Sequence, residues 1–287
     1  LMKLFSLIFI CLLSLRVLPD CENSLDSSRL VIAGGSLTEI VYLLGLEEKL
    51  VAIDITSNYP EKTKLLPSIG YVRNLSTEGI LSLSPTLILG EDDMGPPNVL
   101  RQIQNTGVDI KIIPEESSAK GVVNKIQCVA DILGKPRVGQ KKIKKFIKND
   151  LKVLKNLSEQ NKKSPKKVML ILNIQGASPI VAGRETSGDG LIKMTGAVNV
   201  MDDFEGWKPV GTEAIISANP DFILITQRGM GNFSDVKALS EHPSLKFSNA
   251  AKKGNIIAKD GMAMLGFGPR TIKIASDLAK RFSLDEL

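Results

Sequence analysis

One unit of this chain occurs twice. Thr77-Glu78-Gly79-Ile80-Leu81-Ser82-Leu83-Ser84-Pro85-Thr86-Leu87-Ile88-Leu89 returns 135 residues later as Thr212-Glu213-Ala214-Ile215-Ile216-Ser217-Ala218-Asn219-Pro220-Asp221-Phe222-Ile223-Leu224. Thr, Glu, Ile, Ser, Pro, Ile and Leu coincide. Each copy reads as a short helix, a proline break and an apolar strand. Two copies in 287 residues restrict the chain to two related lobes, each large enough to bury a core. A ligand then sits between them, at the carboxyl ends of the strands.

Short apolar runs at 30–33, 50–53, 86–89 and 110–113 read as strands of the first half. Runs at 167–172, 222–226 and 255–258 do so in the second. Helical stretches alternate with them, near 97–106, 119–133, 188–195, 212–218 and 270–282. The fold class expected is α/β: two Rossmann-like lobes with parallel central sheets, joined by one long rigid α-helix. A weaker echo pairs Val31-Ile32-Ala33-Gly34 with Ile180-Val181-Ala182-Gly183. After the first strand, Ser36-Leu37-Thr38-Glu39 reads as a capping box opening a helix that ends near Gly45. Gly34-Gly35-Ser36 also offers free N–H groups to an anion.

The joining helix is expected at 136–162, between an N-terminal lobe at 29–135 and a C-terminal lobe at 165–287. Ile143, Phe146, Ile147, Leu151, Leu154 and Leu157 share one helical face. Lys141, Lys142, Lys144, Lys145, Lys148, Lys152 and Lys155 fill the other. The chain carries a net charge of +6. Residues 135–167 hold thirteen Lys and Arg against Asp150 and Glu159, or +11, so the rest is net −5. Basicity therefore belongs to one solvated helix face, and no nucleic-acid partner is expected.

Residues 1–22 read as a signal peptide. Met2-Lys3 precedes the uncharged run Leu4–Leu15, too short to span a membrane. Export to the periplasm is expected. Leu18-Pro19-Asp20 before Cys21 is a poor lipoprotein cleavage site because of Asp20, so a lipid anchor at Cys21 is the lesser expectation. With Cys21 near the leader, Cys128 is expected to stand alone, without an internal disulfide. The single histidine, His242, excludes multi-histidine metal centres. It falls in the polar stretch Glu241-His242-Pro243-Ser244, expected as a surface loop. G-x-G-x-x-G after a strand, the P-loop and G-x-S-x-G are all missing. No enzyme is expected.

The stretch Pro67–Ser76 carries the most chemistry. If it is extended, Tyr71 and Arg73 share a face. A guanidinium beside a phenol favours phenolate, a hard oxygen ligand for Fe(III). Glu91-Asp92-Asp93-Met94-Gly95-Pro96-Pro97 follows one strand and Arg228-Gly229 follows its counterpart, so Asp93 and Arg228 are equivalent positions facing the cleft. Arg228 there suits a carboxylate. Met94, Met230, Met262 and Met264 offer soft contact to a flat apolar ligand.

Taken in order, Ala33-Gly34-Gly35-Ser36-Leu37-Thr38-Glu39-Ile40, Gly70-Tyr71-Val72-Arg73, Leu81-Ser82-Leu83-Ser84-Pro85, Gly95-Pro96-Pro97 and Leu265-Gly266-Phe267-Gly268-Pro269-Arg270-Thr271 resemble the haem-specific binding proteins of bacterial haemin ABC importers. This class is related to the cobalamin and siderophore binding proteins. The resemblance spans residues 29–283. It implies a periplasmic, monomeric carrier in iron acquisition that takes ferric haem b (Fe(III) protoporphyrin IX) into the interlobe cleft. Tyr71 is then the axial iron ligand, Arg73 stabilises the phenolate, Arg228 meets a propionate, and Met94 and Met262 line the ligand. Some relatives add a histidine in the stretch matching Leu172-Asn173-Ile174-Gln175-Gly176. None occurs here, so a five-coordinate site or a weak sixth ligand such as water is expected. The resemblance also implies that Glu78 and Glu213 dock onto arginines of a two-fold permease dimer coupled to its ATPase, with an outer-membrane haem receptor upstream. The related alternative is a carrier of the same fold for a ferric siderophore or cobalamin.

Overall fold

The computed structural model describes residues 21–175 and 178–284. Residues 1–20 of the leader expected at 1–22 lie outside the described residues. The first lobe alternates strand and helix: β1 (Leu30–Ala33), α1 (Gly35–Leu44), β2 (Leu50–Ile53), α2 (Thr77–Leu81), β3 (Leu87–Glu91), α3 (Pro97–Gln104), β4 (Asp109–Ile113) and α4 (Ala119–Ile132). Its sheet runs β2-β1-β3-β4 and is parallel throughout. The second lobe comprises β5 (Lys167–Gln175), β6 (Ser178–Ala182), α7 (Ser187–Met194), β7 (Val198–Asn199), β8 (Trp207–Pro209), α8 (Thr212–Ala218), β9 (Phe222–Thr226), α9 (Val236–Ser240), α10 (Asn249–Lys252), β10 (Ile256–Lys259), α11 (Gly261–Leu265) and α12 (Pro269–Ser283). Between the lobes, α5 (Pro136–Lys142), a π-helical turn (Ile143–Ile147) and α6 (Lys148–Asn161) run without a break.

The second sheet departs from the all-parallel expectation. Strands β10, β9, β5 and β7 are parallel, but β6 and β8 extend the sheet antiparallel. The weak echo at 180–183 falls largely on β6, so it is not equivalent to β1. The strong repeat does superpose in kind. Strands β3 and β9 occupy repeat-equivalent residues, and Ser84 and Asn219, again 135 apart, both take left-handed backbone with φ of 48° and 45°. Each places a positive-φ residue before the proline that stops the helix.

The helices turn one side of both sheets into a shared interior. Leu30, Leu37, Leu89 and Ile126 of the first lobe and Leu170, Phe222 and Phe282 of the second belong to one buried cluster, which Ile147 and Leu154 of the joining helix enter. Phe222 and Phe282 pack ring to ring at 4.7 Å. Two smaller clusters lie on the outer sides of the two sheets.

Four expectations are corrected here. Phe146 is 47% exposed rather than on the apolar face, because the π turn adds residues per turn and swings it outward; Lys145 and Lys142 lie over its ring at 4.9 and 5.6 Å. The capping box does not form. Gly34 is the N-cap, Ser36 lies inside α1, and Glu39 reaches Arg270 on α12 instead. His242 is buried at 7% exposure, its Nδ1 accepting from the Ser244 N–H and its ring edge-on to Phe233. Cys21 is bonded to Cys128 on α4, closing 107 residues of chain. Cys21 and Ser24, whose N–H bonds Ile132 O, therefore belong to the folded first lobe, ahead of the expected boundary at 29, with Cys21 within the 1–22 expected as leader. A sulfur in this disulfide has no valence left for a lipid thioether.

Candidate functional site

Tyr71 is placed by backbone hydrogen bonds. Beyond β2, residues 67–70 run beside the strand end: Ile53 N–H donates to Pro67 O, Ile69 N–H to Ile53 O, and Ile55 N–H to Gly70 O. Gly70, at φ 85°, redirects the chain. Tyr71 then opens a β-turn closed by Asn74 N–H on Tyr71 O at 2.8 Å. The extended reading of this stretch is corrected, since Val72 and Arg73 are the turn's central residues. Val72 and Leu75 anchor it in the core, and the loop at Gly95 clamps it by exchanging hydrogen bonds with both. The phenol projects with 42% of the residue exposed and makes no hydrogen bond among the described residues. Arg73 stays within electrostatic reach of Tyr71, but its Nε bonds Asp93 at 2.8 Å. The Asp93 carboxylate thus holds the guanidinium pKa above its ordinary value.

The second lobe faces Tyr71 with a contrasting set. One cavity of about 530 Å³ is lined by Tyr71 from the first lobe and by Leu172, Asn173, Ile174, Thr226, Arg228 and glycines 229 and 231 from the second. Arg228 starts a single 3-10 turn after β9. The Thr226 hydroxyl ties that turn to β5, donating to Leu172 O and accepting from Gly229 N–H, both at 2.8 Å. Only glycine fits at 229, because a Cβ there would overlap the Leu172 carbonyl. Arg228 is exposed and has no hydrogen bond or ion pair among the described residues.

The structure does not bring the methionines to this cavity. Met94 is 5% exposed and packs into the first-lobe core against Gly90, so its assignment as a ligand contact is corrected. Met230 and Met264 are likewise core residues. Met262 lies between the lobes, its Cε beside Gly35 and its Sδ beside Gly266, and is not among the residues lining the Tyr71 cavity. The Gly34-Gly35-Ser36 turn holds no spare donors at its start: Gly34 N–H bonds Asp54 at 3.1 Å and Gly35 N–H bonds Thr56 at 2.9 Å. Glu78 and Glu213 are exposed in the first turns of α2 and α8.

Sequence reasoning missed what braces the cleft. Lys125, on the apolar face of α4 with Val122, Ile126 and Val129, is buried. Its Nζ lies 2.8 Å from both Glu91 and Glu115 and 3.1 Å from Gly266 O in the other lobe. The Ser36 hydroxyl donates to Glu91. Burial pushes the Glu91 carboxyl up to about 7, and Lys125 only partly offsets this. Burial also opposes the Lys125 charge, but Glu91 and Glu115 outweigh it and hold that amine above the usual lysine value. A second brace joins Glu39 to Arg270 at 2.5 Å. Arg270 also pairs with Asp260 at 3.0 Å and stacks on Tyr59 at 4.1 Å. The legible signal was a lysine interrupting the apolar face of α4.

Two lobes on one joining helix, with an open cavity between them and unpartnered groups facing it, define a two-lobe ligand carrier. The chain belongs to the periplasmic binding protein family, whose pattern matches residues 30–261. It is similar to an uncharacterised ABC transporter substrate-binding lipoprotein of Bacillus subtilis, 25% identical over 91% of this chain and 82% of that one. Among solved structures it resembles a periplasmic haem-binding protein from Roseiflexus sp. RS-1 in apo form, with 36% identity, TM-score 0.82, and coverage of 90% and 98% of the two chains. It likewise resembles the periplasmic haem-binding protein BhuT in complex with two haems, with 33% identity, TM-score 0.83 and the same coverage. This family is a substrate-binding transport class rather than an enzyme class. Among the described residues no helix is long and apolar enough to cross a membrane.

Proposed function

We propose that this chain captures ferric haem b in the interlobe cavity, with the Tyr71 phenolate as axial iron ligand, and delivers it in the periplasm to an ABC permease. The observation that carries the reading is the meeting of an unpartnered tyrosine from one lobe and an unpartnered arginine from the other around one cavity. A phenolate bonds hard Fe(III) through oxygen. Arg73 lowers the cost of that charge, and Asp93 keeps the guanidinium in place. Leu172 and Ile174 offer apolar surface to the porphyrin, and Arg228 pairs with a propionate. Each step is binding or orientation, and no bond of the ligand is made or broken apart from coordination to iron.

Delivery rests on the repeat. Glu78 and Glu213 place one exposed carboxylate on each of two equivalent helices, which fits arginines of a two-fold permease dimer. The carrier acts as a monomer. Tyr71→Ala tests the proposal: the phenolate-to-iron charge-transfer absorbance disappears and haemin affinity falls about 100-fold or more, some 2.7 kcal/mol. Unchanged haemin binding in that variant contradicts the axial role. Preference for a ferric siderophore or cobalamin over haemin in competition redirects the ligand assignment within the same fold.

A further inference from the structure

The joining helix carries charge that nothing else in the molecule uses. Residues 135–167 hold thirteen Lys and Arg against Asp150 and Glu159. None of the thirteen forms an ion pair among the described residues. Lys141, Lys145, Lys148, Lys152 and Lys155 are exposed and follow one another at spacings of three and four, where like charges repel. Asp150 is half-buried and within electrostatic reach of Lys273 on α12, so Glu159, near the helix end, is the exposed acid of the run. The same flank bares apolar surface. Phe146 and Val153, seven residues apart and so close to one helical face, are 47% and 39% exposed. Lys142 and Lys145 both stand at the Phe146 ring.

These features select the partner. Lysine is a hydrated point charge rather than the planar fork that grips a single phosphate, so a row of lysines matches spread negative charge. The helix runs from Pro136 to Asn161, about 39 Å at 1.5 Å per residue, so it matches an extended surface. An exposed aromatic ring among lysines fits a boundary that is anionic outside and apolar within, which is the headgroup and acyl layering of a bilayer. We propose that this flank of the joining helix is a peripheral docking surface for an anionic lipid bilayer, with the lysines at the headgroups and Phe146 in the acyl boundary. The surface is separate from the glutamates of α2 and α8. Ile80 and Ile215 of those helices pack into the clusters on the outer sides of the sheets, whereas Ile147 and Leu154 of the joining helix enter the shared interior. A carrier held at a bilayer meets a membrane-borne partner at a raised effective concentration.

The test uses ligand-free protein co-sedimented with vesicles of phosphatidylglycerol and phosphatidylcholine mixed equally, or of phosphatidylcholine alone. Wild type is expected to bind the anionic vesicles about tenfold or more tightly than the neutral ones at about 50 mM salt, and to leave them at about 500 mM, where exposed charges are screened. The triple variant Lys145→Gln, Lys148→Gln, Lys152→Gln is expected to lose about tenfold or more in vesicle affinity. Its melting temperature should equal or exceed that of wild type, since repulsion along the helix is relieved. Phe146→Trp is expected to blue-shift in emission on anionic vesicles, read against the constant background of Trp207, the single tryptophan of the chain. Equal binding to both vesicle types, retention at high salt, a triple variant that binds like wild type, or an unshifted emission from residue 146 each overturns the proposal. A soluble polyphosphate that binds as strongly as the vesicles, with the emission unshifted, assigns the flank to a non-lipid polyanion and overturns it too. Haemin is absent throughout, so failure of the haem reading leaves these outcomes unchanged.

Discussion

The two copies of the repeat end in opposite ways. Beyond β3 every charge is engaged: Glu91 is locked to Lys125 and Ser36, and Asp93 holds Arg73. Beyond β9 the equivalent positions are Thr226, which shapes a turn, and Arg228, which has no partner among the described residues, with the orphaned Asn173 alongside. One unit thus serves twice. In the first lobe its polar groups are bonded to one another and across to Gly266, which braces the cleft. In the second lobe Thr226 is engaged, whereas Arg228 stays exposed and without a protein partner among the described residues, so it is available to a ligand. Unpaired polar groups are tolerated where binding completes them.

That contrast can be broken from either side. The largest effect on stability is expected from Lys125→Met, which leaves Glu91 buried without its cation. About 3–5 kcal/mol should be lost in chemical denaturation, whereas Arg228→Ala should change stability by no more than about 0.5 kcal/mol. A Lys125→Met protein as stable as wild type would end the bracing account. Next comes Cys128→Ala, which opens the link to Cys21 and should cost about 2–4 kcal/mol under oxidising conditions and nothing when both proteins are reduced. On the ligand side, Arg228→Ala should weaken haemin binding about tenfold, or ~1.4 kcal/mol, with its melting temperature preserved.

Smaller still is the pH dependence of Glu91. Its folded pKa, near 7, exceeds the ordinary carboxyl value of 4.5, so the folded state holds an extra proton between these limits. Stability from this group therefore falls as pH rises from about 4.5 to about 7. Glu91→Gln should flatten that slope in melting curves recorded across the window, and an unchanged slope would reassign it. The smallest change is expected in shape. Because both lobes share one buried cluster with the joining helix, small-angle scattering should show only slight compaction on haemin addition. A large compaction would contradict the shared core as a brace.

The sequence made the lobes legible because local signals agreed: a repeat with its own proline stop, a joining helix expected at 136–162 with an apolar face, which ends in the structure at Asn161, and glycine at residue 45 as a left-handed cap. What it hid was non-local. Glu39 looked like half of a capping box until Arg270, 231 residues away, took its carboxylate. Cys21 looked like a remnant of the leader because its partner is on α4. Phe146 fitted the apolar stripe at 3.6 residues per turn and left it where the helix widened. Tyr71 and Arg228 stood out as residue types, but their meeting in one cavity depends on the fold. Asn173 stood within the stretch compared for a second iron ligand, but that its Oδ1 is buried without a partner depends on the fold.

The central claim is that Tyr71 gives the first lobe's half of the cavity its hold on iron. Titration of the protein with haemin, followed by absorbance in wild type and Tyr71→Ala, tests it most directly. The account predicts saturable binding with a high-spin ferric spectrum and a phenolate charge-transfer band in wild type, and loss of that band with affinity about 100-fold weaker in the variant. Absence of saturable haemin binding in wild type, or identical spectra and affinities in the two proteins, would contradict it.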